Sequence, residues 1–592
     1  MPLVSKLSFK DAVALRGANP LVLCVFAAGV LAAGQSGAFA RDSLVVARPF
    51  EVGTSLSGNY LSAIVAHAER DTLAASTFFQ EAMRGDPRNR ELTERTLIDA
   101  LANGDTQNAY PLAAKVLTFD RANAVALLTR AVEALTQRQY AKARTLLTKN
   151  AKRQGDIKDV LLTAWAYAGE KNERRALATL DQLRGEGYSV LRDYHAALIA
   201  DQCGDKTEAE RRFKTTVASG NTILRLIDAY GRFLSSRGDN EAAKKLYRAF
   251  NDAAPNNPFV LSALADLDAG RTLAPLIRDA QAGAGEALYG LVSLGNRQGD
   301  ELAALIYLRL ALVLAPDNMP ATFTLAEIYE KQLRQDEQAL AVYDGVPDGS
   351  PMRLYADALA GLTLESLGRA EDATKHLQAV VDAHPQNSEA LTALADLQSQ
   401  RKLYKEAVAT YTRALALTQK PEKSQWGLYF HRGIANERAK NWPDAERDLR
   451  RALELNPDHP EILNYLGYSW VDQNMNLDEA FRMLRRAVDL DGSKGDYVDS
   501  LGWSYYHLGR YDEAVKELEK AIDLKPGDPI INDHLGDAYW RVGRKLEAKF
   551  QWNHARDLNR EPEELPKILD KIKNGLVDAP TVAGEKQANK GG

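Results

Sequence analysis

Histidine, cysteine and paired polar residues are where chemistry would be sought in this chain. Histidines beside cysteines or carboxylates at ligand spacing would hold a metal, and a histidine beside a serine or cysteine could drive nucleophilic catalysis. His67, His195, His376, His384, His431, His459, His507, His534 and His554 are instead scattered, and none has a ligand-spaced partner. The chain has no phosphate-cradling glycine loop, no G-x-S-x-G elbow and no H-E-x-x-H pair. Cys24 lies in an N-terminal apolar run, and Cys203 stands beside Gly204-Asp205. Removal of that run leaves Cys203 without an intrachain disulfide partner, and it reads as a small packed residue at a helix end. The expectation is a non-enzyme with no catalytic residue, no metal site and no cofactor.

What remains is binding, and the stretch that supports it runs from Trp426 to Pro562. Gly433, Gly467, Gly502 and Gly536 recur there at spacings of 34, 35 and 34 residues. Ala445, Ala480, Ala514 and Ala548 keep the same step, as do Ala452, Ala487, Ala521 and Ala555. Three registers in step over four copies define a structural repeat. In Tyr497 to Pro526, Leu501, Gly502 and Tyr505 fall on one face of a first helix. Leu508-Gly509-Arg510 makes a turn, and Ala514, Leu518 and Ala521 line a second helix that Pro526 stops. Small residues let the two helices cross closely while large apolar ones fill the space beside them.

This spacing resembles the tetratricopeptide repeat (TPR). The resemblance implies an all-α solenoid of about 14 or 15 helical hairpins, with the first helix of each lining a concave face. The positions it places on that face are Phe430, His431, Asn464, Tyr468, Asp499, Trp503, Tyr506, His507, Asp533, Asp537, Trp540 and Arg541. Aromatics in a groove offer contact area at little side-chain entropy, and the polar groups between them can pair with a peptide backbone. Trp503 and Tyr468 directly follow the helix-contact glycines and have a second reading, as wedges between repeats. The carboxylate-clamp mode known in the family does not fit: Asn464 lacks the accompanying lysine, and Asp499 and Asp533 would repel an acidic tail.

Bulk composition agrees. In 592 residues, 75 basic and 80 acidic side chains leave a net charge of −5, which offers nothing to nucleic acid. A hydrophobic content of 45% suits a folded chain, and aromatics at 8% with abundant Leu and Ala suit stacked helices.

Residues 1–40 read as an export signal: a basic lead (Lys6, Lys10, Arg16), an apolar run from Leu21 to Ala33, and Ala38-Phe39-Ala40 before a cleavage between Ala40 and Arg41. The alternative is an inner-membrane anchor over residues 21–40; a lipoprotein start is poor because Leu23 precedes Cys24. An extended leader (41–54) opens a degenerate repeat array over 55–256, with Ala63, Ala75, Phe79 and Ala82 in its first copy and Ala243, Tyr247 and Phe250 in its last. Residues 257–284, interrupted by Gly270 and Gly283, read as a degenerate repeat or a hinge, the former being favoured. A middle array (285–425), the well-formed array (426–562), a capping helix (563–576) and a disordered tail (577–592) complete the chain. Each repeat is expected to depend on its neighbours alone, as in a quasi-one-dimensional array.

The runs DSLGWSYYHLGRYDEA (Asp499–Ala514) and HLGDAYWRVGRKLEAKFQWNHA (His534–Ala555) are also similar to the C-terminal repeats of bacterial envelope TPR adaptors. The best-understood type is an outer-membrane lipoprotein that binds a periplasmic carboxyl-terminal processing protease and presents substrates, among them peptidoglycan hydrolases. The likeness covers about the last 140 residues. It implies a scaffold of the Gram-negative envelope, periplasmic or outer-membrane associated, whose partners are such a protease and cell-wall hydrolases, with peripheral membrane association. The alternatives are an assembly factor for exported polysaccharide or pili, or a non-catalytic subunit of an envelope enzyme complex.

Overall fold

The computed structural model describes residues 52–148, 156–220, 223–254, 257–295, 301–417, 423–558 and 564–576. Signal, cleavage-site and tail assignments fall outside these residues. The described chain is helical, with no strand, and divides at Arg401/Lys402 into two compact units. Among the described residues no helix is long and apolar enough to cross a membrane.

Unit 1 begins with six successive helical hairpins: α1 (Leu56–Ala68) with α2 (Thr72–Gly85), α3 (Arg90–Ala102) with α4 (Thr106–Phe119), and α5 (Ala124–Thr136) with α6 (Tyr140–Leu147). α7 (Ile157–Gly169) pairs with α8 (Glu173–Leu180), α9 (Ser189–Cys203) with α10 (Lys206–Ala218), and α11 (Leu224–Ser236) with α12 (Asn240–Ala253). The hairpin turns are locally encoded. Gly104 takes φ +75° to end α3, and Asp105 then caps α4, its carboxylate accepting from the Asn108 N–H at 3.2 Å. Asp71, Asp205 and Asp239 cap α2, α10 and α12 in the same way. Ala63, Ala75, Ala109, Ala143, Ala176, Ala209 and Ala243, where helices cross, are all fully buried.

The lone helix α13 (Pro258–Asp268) interrupts the pairing, and residues 269–279 that follow are not helical. The chain then returns to its beginning. α14 (Ala280–Gly295) packs on α7 and α9, and α15 (Glu301–Leu314) packs on α3 and α5, the first helices of four earlier hairpins. Residues 257–284 are thus neither a repeat nor a hinge in the expected sense. They make one helix and a crossing that sends a hairpin over the first-helix side of the N-terminal array.

That hairpin is held throughout its course. Gln281 donates to the Thr136 carbonyl at 2.8 Å, Arg70 pairs with Glu301 at 2.6 Å, and Gln335, beyond α15, donates to the Arg70 carbonyl at 2.7 Å. Close approach needs small residues, which explains the Ala- and Gly-rich sequence of α14. A Cβ on Gly283 would stand 2.3 Å from the Trp165 ring, and one on Gly285 would stand 2.8 Å from the Ala311 carbonyl oxygen. Glu286, 1% exposed, accepts from Arg225 at 2.9 and 2.5 Å, from the Tyr194 hydroxyl at 2.8 Å and from Asn318 at 3.1 Å. Burial opposes its charge, but Arg225 wins and holds the Glu286 carboxyl below its usual range. Unit 1 is therefore closed by contacts far apart in sequence, against the expectation of neighbour-only dependence.

The rest of unit 1 comprises α16 (Met319–Glu327), continued by a π-helical turn at Ile328–Leu333, then α17 (Asp336–Asp344), α18 (Arg353–Ser366), α19 (Ala370–Ala383) and α20 (Ser388–Gln400).

Unit 2 follows the sequence pattern. α21 (Tyr404–Ala416) packs on the first of four hairpins: α22 (Trp426–Arg438) with α23 (Trp442–Leu455), α24 (Pro460–Asp472) with α25 (Leu477–Leu490), α26 (Gly495–His507) with α27 (Tyr511–Leu524), and α28 (Pro529–Arg541) with α29 (Lys545–Leu558). The last helix, α30 (Leu565–Asn574), packs on α29 and buries Ile568. Every repeat glycine meets a large side chain of the following helix: Gly433 meets Leu449, Gly467 meets Leu484, Gly502 meets Leu518 and Gly536 meets Trp552, each at 2.5–2.9 Å from an added Cβ. Both alanine registers, from Ala445 to Ala548 and from Ala452 to Ala555, are 0% exposed.

Candidate functional site

In unit 2 the first helices α24, α26 and α28 pack on one another in succession, and the second helices make no comparable contact. The first helices so line the inner, more tightly curved side, and the second helices the outer. Within each repeat the residues three before, one after and five after the helix-contact glycine point along that inner side.

The structure divides the expected groove residues into three groups. Phe430 is core, 1% exposed, with its ring 5.8 Å from that of Tyr465 and 6.4 Å from that of Trp426. It fills the space under the next repeat and presents nothing to a ligand. Asp499 and Asp537, each 5% exposed, are committed to partners inside the array. The Asp499 carboxylate meets His534 Nδ1 at 3.0 Å, and Asp537 accepts from Trp552 Nε1 at 2.8 Å and from Lys571 Nζ at 2.8 Å. Asp533 also accepts from Lys571, at 2.6 Å. Lys571 comes from α30, so the terminal helix neutralises the acidic end of the inner face. His431, Asn464, Tyr468, Trp503, Tyr506, His507, Trp540 and Arg541 are half-buried and reach the face.

Trp503 serves both readings. Its indole lies parallel to Tyr506 at 4.6 Å and to His534 at 3.9 Å, both within 9°, so it wedges between α26 and α28 while keeping an exposed edge. Its Nε1–H has no hydrogen-bond partner. Tyr506 accepts from Arg541 Nε at 3.1 Å, and Trp540 lies against Trp552, under Lys545 and beside Gly575. These ties stiffen the α26–α28–α30 end.

Charge is set by the same packing. Burial disfavours protonated His534, yet the adjacent Asp499 carboxylate outweighs it and raises the histidine pKa. Burial lowers that of His507, and raises that of the Tyr468 hydroxyl together with the charges of Asp472 and Asp499. Sequence spacing alone missed Glu461, Asp472, His534 and Lys571. Asp472 occupies the register of His507 and Arg541, five residues after its glycine, and was legible by that rule. His534 and Lys571 were not, because each matters through a partner in an adjacent repeat. Among the described residues no cluster of His, Cys, Asp and Glu is arranged to hold a metal.

Three segments match family models: residues 364–428 and 426–459 match models described as tetratricopeptide repeat, and residues 502–543 match one described as TPR repeat. Those segments carry tetratricopeptide repeats, and the described residues as a whole form an all-α array of helical hairpins. In general terms such repeats are those of a protein–protein interaction scaffold. Among solved structures, the chain is similar to the APC/C hetero-tetramer Cut9–Hcn1, at 14% identity over 88% of this chain and 96% of that one with a TM-score of 0.39. It is also similar to yeast Tom70, at 13% over 88% and 95% with a TM-score of 0.28. YrrB, a TPR protein with an unusual peptide-binding site, matches at 19% over 38% and 95% with a TM-score of 0.23. No curated protein matches the sequence.

Proposed function

We propose that the chain is an exported adaptor of a Gram-negative envelope that holds partner proteins on the inner face of unit 2. One observation carries the reading. The first-helix side of the N-terminal array is covered by a whole hairpin, α14 and α15, whereas in unit 2 the same side keeps Tyr468, Trp503, Tyr506 and His507 half-exposed, with the single helix α30 reaching it through Lys571 on α28 and Glu564 near Tyr468. The basic lead, apolar run and Ala38-Phe39-Ala40 of residues 1–40 support partners in the periplasm or at the outer membrane. The likeness of Asp499–Ala555 to envelope adaptors makes a carboxyl-terminal processing protease and its cell-wall hydrolase substrates the first partners to test.

A photo-crosslinking residue placed at Tyr468 in living cells, with one at Lys516 on the outer side as control, tests this reading. Adducts to an envelope protein from position 468 alone are expected, on a mature chain whose N-terminal residue is Arg41. Equal adducts from both positions, or none from 468, would remove the inner face from the proposal. A chain retained in the cytoplasm would remove the envelope.

A further inference from the structure

Resting on the reading of unit 2 as a binding face, we infer that α24 recognises an extended partner segment carrying two cationic side chains, and that α24 is where the inner face reads its ligand. Glu461, Asn464, Tyr468 and Asp472 stand at helical spacing down the inner side of α24. None of the four makes a hydrogen bond or ion pair among the described residues, and the Asn464 Oδ1 is enclosed without a donor.

The neighbouring first helices are different. On α26, Asp499 is taken by His534 and Trp503 is stacked; on α28, Asp533 and Asp537 share Lys571, and Arg541 holds Tyr506. On α22, Arg438 lies against Glu437. Cations on the inner side are thus already matched to acids or to a tyrosine. The two carboxylates of α24 are left over, one at each end of an aromatic ring. Burial pushes the Glu461 carboxyl up, and the charges of His431 and Lys494 offset that only in part. The charge of Asp472 bears on Tyr468 and His507, and burial lowers the His507 pKa.

Charge complementarity selects the occupant. A lysine or arginine at each end would meet Glu461 and Asp472, and the face of Tyr468 favours a cationic or aliphatic group between them. The Asn464 Oδ1 and the Trp503 N–H are enclosed and unpaired, so a main chain lying between α24 and α26 would satisfy them only once these side chains turn outward to meet it. Eleven residues of helix separate the carboxylates by about 16 Å. An extended chain covers that distance in about five residues.

The test uses the full chain and three fluorescent peptides that differ only at two positions five residues apart, occupied by arginine, alanine or glutamate. Binding is read by anisotropy at low and at raised salt. Preference for the arginine peptide is expected, weakened by salt and reduced about tenfold or more in Glu461→Gln/Asp472→Asn. Asp512→Asn on the outer side should leave it unchanged, and circular dichroism should show every variant folded. Equal binding of all three peptides, or a preference for glutamate, would overturn the charge inference and leave the adaptor reading standing. Binding of none, with self-association through unit 2 in sedimentation, would overturn both.

Discussion

Two arrays of the same helical hairpin are closed in different ways, and the difference lies in what touches their first helices. In unit 1 the chain supplies the occupant itself. α14 and α15 lie on α3, α5, α7 and α9, and a carboxylate at Glu286 meets Arg225 and Tyr194 from hairpins well upstream. In unit 2 each first helix meets chiefly its neighbours, through Asp499 with His534 and Asp537 with Lys571. A repeat stack of the second kind distributes stability over nearest-neighbour interfaces. One of the first kind gains the cooperativity of a globular core, at the cost of the surface that would otherwise receive a partner.

The largest effect expected from this contrast is at Glu286. Replacing it by alanine takes from the largely buried Arg225 its bidentate partner and leaves only Asp228, 3.7 Å away, which costs about 3 kcal/mol. Denaturation followed at Trp165 should shift by that amount, with hydrogen exchange unchanged around Trp470 and Trp552 in unit 2. Simultaneous loss of protection in unit 2 would break the division into two units.

Overpacking a repeat glycine sharpens the contrast at intermediate size. Gly502→Leu forces a side chain into Leu518, a loss of about 1–3 kcal/mol. The damage should fall on α26 to α29 and fade toward α22. Gly283→Leu, pressed against Trp165, should instead raise exchange across α7, α9, α14 and α15 together. Damage from Gly502→Leu that spreads evenly over the whole chain would argue against neighbour-only coupling in unit 2.

A smaller effect separates the units by pH. His195 is fully buried in unit 1, accepts from Trp165 Nε1 at 3.2 Å, and has its pKa lowered to about 4 by burial. Its contribution is complete above the unfolded value near 6.5 and is lost as pH falls toward about 4, roughly 1 kcal/mol by pH 5.5. His534 has the opposite sign: its raised pKa gives stability that is complete below about 6.5 and is lost as pH rises through the folded value. His195→Gln should therefore flatten the acid limb of unit 1 unfolding, and His534→Gln the alkaline limb of unit 2 unfolding. Histidine variants that shift both units alike would show that the two histidines do not sit in opposed environments.

How much of this could be read beforehand depended on the range of the interaction. Gly502 and Ala514 belong to one hairpin, and only a small residue fits where their helices cross, so spacing along the chain revealed the contact. Phe430 could not be separated from groove positions in the same way. Its place in the repeat is a groove place, and the rings of Tyr465 on the next first helix and of Trp426 on its own turn it into core. The same holds for Asp499, whose register promised a free carboxylate until His534 was found against it.

The sequence by itself determined the helical hairpin, its repeat length, its packing registers and its turns, because helix periodicity, capping and close crossing are decided within a few dozen residues. Tertiary structure alone decided that the N-terminal array is filled by its own hairpin and that α24 keeps its polar stripe unpaired. An amphipathic helix records that one of its faces must be covered, but not which segment covers it, since an apolar face accepts any complementary surface. α14 met that need across more than a hundred residues, and no local period carries such a distance.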